Sequence, residues 1–260
     1  RDSSNATLLN PARLVYLRGF SANATYTRLT EDLPVDRLEG SVAIPIGSDI
    51  SAPLQHGGKT HRAAVGLAFE ALGLDLSQGS RYAETQLTLA GAWAPSNFAS
   101  LGVGGRVMLA GSDNVEGLSA SGYGIDAGLS MALDPHIEGA IMVRNLFGGV
   151  KYEESESGED ALRTVTLGLA LHRTGWILGE ADLVMESEGT YRVQLGGELT
   201  LLDLDSARLG LKQWLSPDTR SNFTAGAGVR IPLIQVDYGV EFDDKDALGM
   251  AHRLTVGTHF

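Results

Sequence analysis

The 260-residue chain contains no cysteine. That excludes a disulfide framework, a thiolate metal site and a cysteine nucleophile. It also lacks any run of about 20 apolar residues, so it carries no transmembrane helix. Strands crossing a bilayer in about 9–11 residues remain allowed. Basic residues are outnumbered, with 20 Lys and Arg against 32 Asp and Glu and a formal net charge of -12. Nucleic-acid binding needs a basic stripe and is excluded as a function. Prolines number only 8 and aromatics make up 7% of the chain. Against these shortages stand 33 glycines. With no collagen repeat, that excess points to β structure with many turns. No internal repeat of fixed period is visible, which disfavours a propeller or solenoid. The chain begins at Arg1 without methionine. The expectation is a mature chain from which a signal peptide has been removed.

What the chain has in abundance is alternation of apolar and polar residues, the period of a strand with two unlike faces. Segments 20–29, 38–46, 61–71, 82–93, 101–109, 123–133 and 137–144 alternate in this way. So do 164–172, 177–185, 191–199, 207–212, 223–231, 234–242 and 253–260. The connections at 134–135, 173–175 and 232–233 are tight and follow even-numbered strands. Longer, charged connections follow odd ones, at 30–36, 112–117, 145–160, 186–189, 217–222 and 243–248. Short turns on one rim and long loops on the other is the outer-membrane pattern, with the short turns periplasmic. The turn-rich stretch 47–60 breaks this rule, being long on the short side. Residues 1–18 read as a loop-like, periplasmic or plug-like segment ahead of a barrel spanning 19–260. The expected fold is all-β, a single fourteen-stranded antiparallel transmembrane β-barrel with a polar lumen.

The polar faces separate such a barrel from a soluble β-sandwich, whose outer face would carry lysine and glutamate. Here lysine appears on that face only at Lys212, and both charge signs interleave. Arginines at Arg62, Arg106, Arg144, Arg192, Arg208, Arg230 and Arg253 alternate with Glu70, Asp126, Glu138, Glu180, Asp182, Glu198, Asp237 and Glu241. Arginine suits confined, bidentate pairing with carboxylates. Near balance of the two signs favours an ion-pair network filling the lumen over a selectivity filter, which usually shows one sign.

Other candidates carry less. The acidic run Glu153, Glu154, Glu156, Glu159 and Asp160 sits in the longest expected loop and has the hard oxygen ligands calcium takes, but no EF-hand spacing. Six histidines are scattered without ligand spacing, and no serine is placed beside His172 or His259, so no enzyme activity and no cofactor are expected. Trp93, Trp176 and Trp214 fit an interfacial girdle. That girdle is thin, which suggests protein cover over part of the wall.

Segments YRVQLGGELTL (191–201), ARLGLK (207–212), TAGAGVRIPLIQVDYGVEF (224–242) and LGMAHRLTVGTHF (248–260) resemble, in that order, the closing strands of the PorV branch of FadL-like outer-membrane proteins. SSNATLLNPARL (3–14) resembles the family's opening, and GYGIDAGLSMAL (122–133) with GAIMVRNLFGG (139–149) fits its middle. The resemblance implies a fourteen-stranded barrel in the bacterial outer membrane. Its surroundings would be the lipid bilayer and lipopolysaccharide, and it would be inserted by the barrel-assembly machinery. Leu254, Val256 and Phe260 would then form the carboxyl-terminal insertion signal. The segment ahead of the first strand is short for the transporters' hatch, and the outer loops are short for a substrate-capture cup. The resemblance therefore implies a non-enzymatic partner or anchor for a larger protein of a secretion or cell-surface assembly. The alternative is a passive channel or transporter for small or hydrophobic molecules.

Overall fold

The structure is a computed structural model. It describes residues 3–30, 35–51, 59–75, 80–113, 119–153, 158–173, 176–201, 205–216, 219–243 and 250–260. A short helix α1 (Ala6–Leu9) and a 3-10 turn (Pro11–Tyr16) precede the strands. These are β1 (Ser21–Thr30), β2 (Val35–Ser51), β3 (Lys59–Asp75), β4 (Arg81–Trp93), β5 (Ala99–Ser112), β6 (Ala120–Asp134) and β7 (Ile137–Tyr152). A two-residue strand β8 (Glu159–Asp160) follows, then β9 (Thr164–Arg173), β10 (Ile177–Glu186), β11 (Tyr191–Leu201), β12 (Asp205–Ser216), β13 (Arg220–Ile231), β14 (Ile234–Asp243) and β15 (Met250–His259).

Every barrel strand pairs antiparallel with its chain neighbours, and β1 pairs with β15 from Ser21 opposite His259 to Thr30 opposite Met250. β7 joins β6 on one side and β9 on the other, while β8 only flanks the outer end of β7. The result is a closed fourteen-stranded antiparallel barrel. Closure leaves no unpaired edge, which a lipid environment could not solvate.

Alternation sorts the side chains into two faces. Val103, Leu109, Leu169, Leu209, Val229 and Val236 point outward and are exposed, with Leu89 at 64% and Leu209 at 72%. A belt of this extent has no place in water. It is the lipid-facing wall of an outer-membrane-type barrel. Two-residue turns join Asp134 to Ile137 and Ile231 to Ile234, marking the periplasmic rim.

Three expectations change. Both described ends of the stretch 47–60 are strand: β2 runs to Ser51 and β3 starts at Lys59, with Asp49 opposite His61 and Ile50 opposite Thr60 past a bulge after Ile46. The long loop expected over 145–160 shortens, because β7 continues to Tyr152 and Gly149 and Val150 pair with Asp160 and Glu159. Residues 3–17 are not loop-like. They fold inside the barrel, where their unpaired backbone groups find partners on the wall.

Candidate functional site

Residues 3–17 lie in the periplasmic half of the lumen against β1–β7. Asn10 ends α1, its amide bonded to Ala6 O at 3.0 Å, and its side chain accepts from the Ala12 amide at 3.1 Å to start the 3-10 turn. Pro11 fits this first-turn position because it has no amide hydrogen to lose. Ala12, Leu14 and Val15 are fully buried, and Leu14 and Val15 pack with Ala6 and Leu17 on Ala43, Ala64, Ala90, Ala92 and Ala94. The wall beneath is built from small residues for contact. A Cβ on Gly66 would overlap Thr7, one on Gly102 would overlap Pro11 and Ala12, and one on Gly128 would overlap Asn10.

Polar contacts complete the seat. Asn23 Nδ2 donates to Ser4 Oγ at 2.6 Å, Ser4 Oγ lies 2.8 Å from Ser41 Oγ, and Ser41 Oγ donates to Asn5 Oδ1 at 2.9 Å. Thr60 Oγ1 donates to Val15 O at 3.0 Å, and the Tyr16 hydroxyl meets Ser100 Oγ at 2.9 Å. Arg13 Nη1 reaches Glu138 Oε2 at 3.0 Å, with His172 Nε2 3.8 Å from the same oxygen. Arg144 donates to Leu8 O, the last turn of α1, where a cation is favourable.

Above and beside this segment the charged lumen residues group by strand. Arg106 Nη2 holds Asp126 Oδ1 at 2.9 Å and also donates to Asn145 Oδ1. The Asn145 amide donates to the same Asp126 oxygen at 2.8 Å. Asn145 adopts a positive φ of 54° at the point where the β6–β7 register shifts around Asp126. Arg37 bridges Glu39 (2.7 Å) and Glu70, and Gln86 also binds Glu70. On the opposite wall Arg208 Nε binds Glu198 Oε2 at 2.6 Å and Nη1 binds Asp237. Lys212 Nζ binds Glu241 Oε2 at 2.6 Å. Arg230 donates to Gln235, which donates on to Asp237 at 2.6 Å, and Arg253 Nε donates to Thr27 at 3.3 Å. Buried pairs of this kind specify geometry more than they add net stability, because desolvation offsets their attraction.

Not every residue expected in the network joins it. Arg62 is exposed at the periplasmic end, where the inner wall beside it is taken up by Thr60 and the seated segment. Glu180 faces the lumen beside Asp182 but stays exposed. Arg144 serves a backbone carbonyl and Arg192 an indole ring. Trp214 is not part of a girdle. It turns inward between Arg192 and Arg220, whereas Trp93 and Trp176 point outward. Glu154 and Glu156 lie outside the described residues, and Glu153, Glu159 and Asp160 are exposed. Among the described residues, no three acidic or histidine side chains converge as a metal site would need. At the barrel seam Leu254 and Val256 face outward, and the Phe260 amide donates to Phe20 O at 2.9 Å. Arg13, Asn145 and Arg220 were not expected in the lumen. Arg13 has no periodic signal, and the other two were read as loop.

The class this fold defines is the fourteen-stranded outer-membrane β-barrel with an internal amino-terminal segment. No family model and no curated protein matches the chain. Among solved structures it is similar to the CymD monoaromatic hydrocarbon channel, with a TM-score of 0.75 at 12% identity, covering 99% of this chain and 93% of that one. It is also similar to the Ralstonia pickettii toluene transporter TbuX (TM-score 0.69, 12% identity, 99% and 94% covered). A Pseudomonas aeruginosa FadL homologue matches as well (TM-score 0.65, 12% identity, 99% and 94% covered). The fold is thus FadL-like, and at such identity the likeness is one of fold.

Proposed function

We propose that the protein is a passive outer-membrane channel or transporter for small, hydrophobic or amphipathic molecules. The observation that carries this reading is the seat of residues 3–17. A segment fitted against one side of the lumen is the element a channel needs to control passage. The seat occupies β1–β7. On the facing wall Gly196 opens onto free space, whereas a Cβ on Gly168, Gly210 or Gly228 would meet Asp182, Thr224 or Asp237. The similar solved structures titled as hydrocarbon channels and toluene transporters support the same reading.

The anchor reading rests on the PorV-like motifs, and native purification separates the two. An anchor co-purifies with a larger stoichiometric protein; a channel purifies alone and moves solute. Reconstituted barrel should take up toluene or a short alcohol faster than empty liposomes. Because the chain has no cysteine, Ser4→Cys with Ser41→Cys places one disulfide across the seat. Oxidation should slow uptake and reductant restore it. Uptake no faster than in empty liposomes, in either redox state, would sink the channel reading.

A further inference from the structure

Three side chains at the extracellular mouth form an arrangement unlike the rest of the lumen. Arg192 on β11, Trp214 on β12 and Arg220 on β13 are register neighbours across adjacent strands. They share the inward face with Gln194, Lys212 and Asn222. Arg220 Cζ lies 4.1 Å from the indole centroid and Arg192 Cζ 5.3 Å from it. β12 ends two residues beyond Trp214, and β13 begins at Arg220 itself, so the group sits at the outer rim.

Elsewhere in the lumen most cations meet carboxylates, although Arg144 meets a carbonyl and Arg253 a hydroxyl. Arg13, Arg37, Arg106, Arg208 and Lys212 each have one within 3.0 Å. Arg192 and Arg220 make no ion pair with a described carboxylate; both are gathered on a neutral ring. A ring face attracts a guanidinium by about 0.5–2 kcal/mol but leaves its charge in place. Two like charges on one indole repel each other, and an anion between them removes that cost. A ring face takes none of a guanidinium's N–H donors, so the fork that matches a carboxylate is not used up by the indole. Arg192 Nε is buried with no hydrogen-bond partner among the described residues, so one donor is already desolvated and unused.

We infer that Arg192, Trp214 and Arg220 form a binding site for a small carboxylate at the extracellular mouth of the lumen. The three side chains face the lumen, away from the lipid, which makes the ligand a dissolved carboxylate and not a lipopolysaccharide phosphate. The site gains its purpose from the channel reading, but its chemistry stands apart from it.

The test uses the whole purified barrel. Trp93 and Trp176 point outward, so Trp93→Phe with Trp176→Phe leaves Trp214 as the sole tryptophan. Benzoate should change its emission saturably, and neutral benzamide should not. Arg192→Gln and Arg220→Gln should each weaken benzoate binding roughly tenfold, with heat-modifiable migration unchanged. Arg192→Lys, which keeps charge but not the fork, should recover only part of the affinity. Equal responses to benzoate and benzamide, or unchanged affinity when both arginines are replaced, would overturn the site. Inorganic phosphate binding more tightly than benzoate would overturn the carboxylate assignment. Binding without benzoate uptake into liposomes leaves the site standing and counts against the channel alone.

Discussion

Gly102 on β5 lies directly beneath Ala12: a Cβ built on it would fall 2.8 Å from Ala12 Cα and overlap the preceding peptide. The inner wall is shaped to the amino-terminal segment, atom against atom. Gly102→Val should unseat residues 3–17 without opening the barrel, since overpacking costs about 1–3 kcal/mol and here falls on the segment. A Ser4→Cys reporter, buried when seated, should be inert to maleimide in the parent and labelled in the Gly102→Val background. Migration of the folded barrel on gels should not change.

Glu138 is the anion that Arg13 and His172 share. Glu138→Gln leaves the Arg13 guanidinium without its counter-charge. The expected loss of docking free energy is about 2–5 kcal/mol. The same Ser4→Cys reporter reads it, and a double-mutant cycle with Arg13→Met should show strong coupling. Additive effects would mean that the contact is incidental.

Asn145 combines left-handed backbone with three side-chain and amide hydrogen bonds. Asn145→Val places a β-branched residue at φ 54° and should cost about 1–3 kcal/mol for the backbone alone. Asn145→Gly keeps the backbone and loses only the side-chain bonds. Urea unfolding in detergent should therefore rank parent above Asn145→Gly above Asn145→Val.

Neighbours on one strand face different media. Leu209→Arg places a charge in lipid and should cost about 2–4 kcal/mol if it lies near the midplane. At Arg208, one residue away, leucine is expected to be tolerated by the bilayer but to strip Glu198 and Asp237 of their partner. Folding yield into vesicles should fall for Leu209→Arg. For Arg208→Leu the yield should hold while the unfolding midpoint drops.

The barrel was legible because lipid enforces a rule on every second residue. Leu167, Leu169 and Leu171, or Leu209 and Leu211, announce their strands without help from partners. The amino-terminal segment follows no such rule. Ser4, Asn5, Asn10 and Pro11 read as loop because their partners lie on distant strands. Its trace was in the wall instead, where Gly66, Gly102 and Gly128 face inward with Ala64, Ala68 and Ala90; those glycines were counted only as a sign of turns. Strand ends were also hard to place. The alternation of β12 is clear only to Lys212, which leaves Trp214 looking like an interfacial residue, although strand pairing carries on to Ser216. The ion pairs were half legible: alternation shows which residues face the lumen, but the register between strands decides who meets whom. That register brings Glu198 opposite Arg208 and sets Arg192 beside Trp214.

The wall that receives residues 3–17 is made from the strands that follow them most closely in the chain. Every seating contact named above on β2–β6 is present before β9 begins, whereas closing the wall waits for Ser21 to meet His259. Seating therefore draws on contacts of shorter sequence separation than closure does, from Ser4 with Ser41 to Leu8 with Arg144, and lower-separation contacts are the quicker to form. A nascent sheet of β1–β7 already holds the surface that its own amino terminus fits, so the barrel curls shut around an occupant already in place.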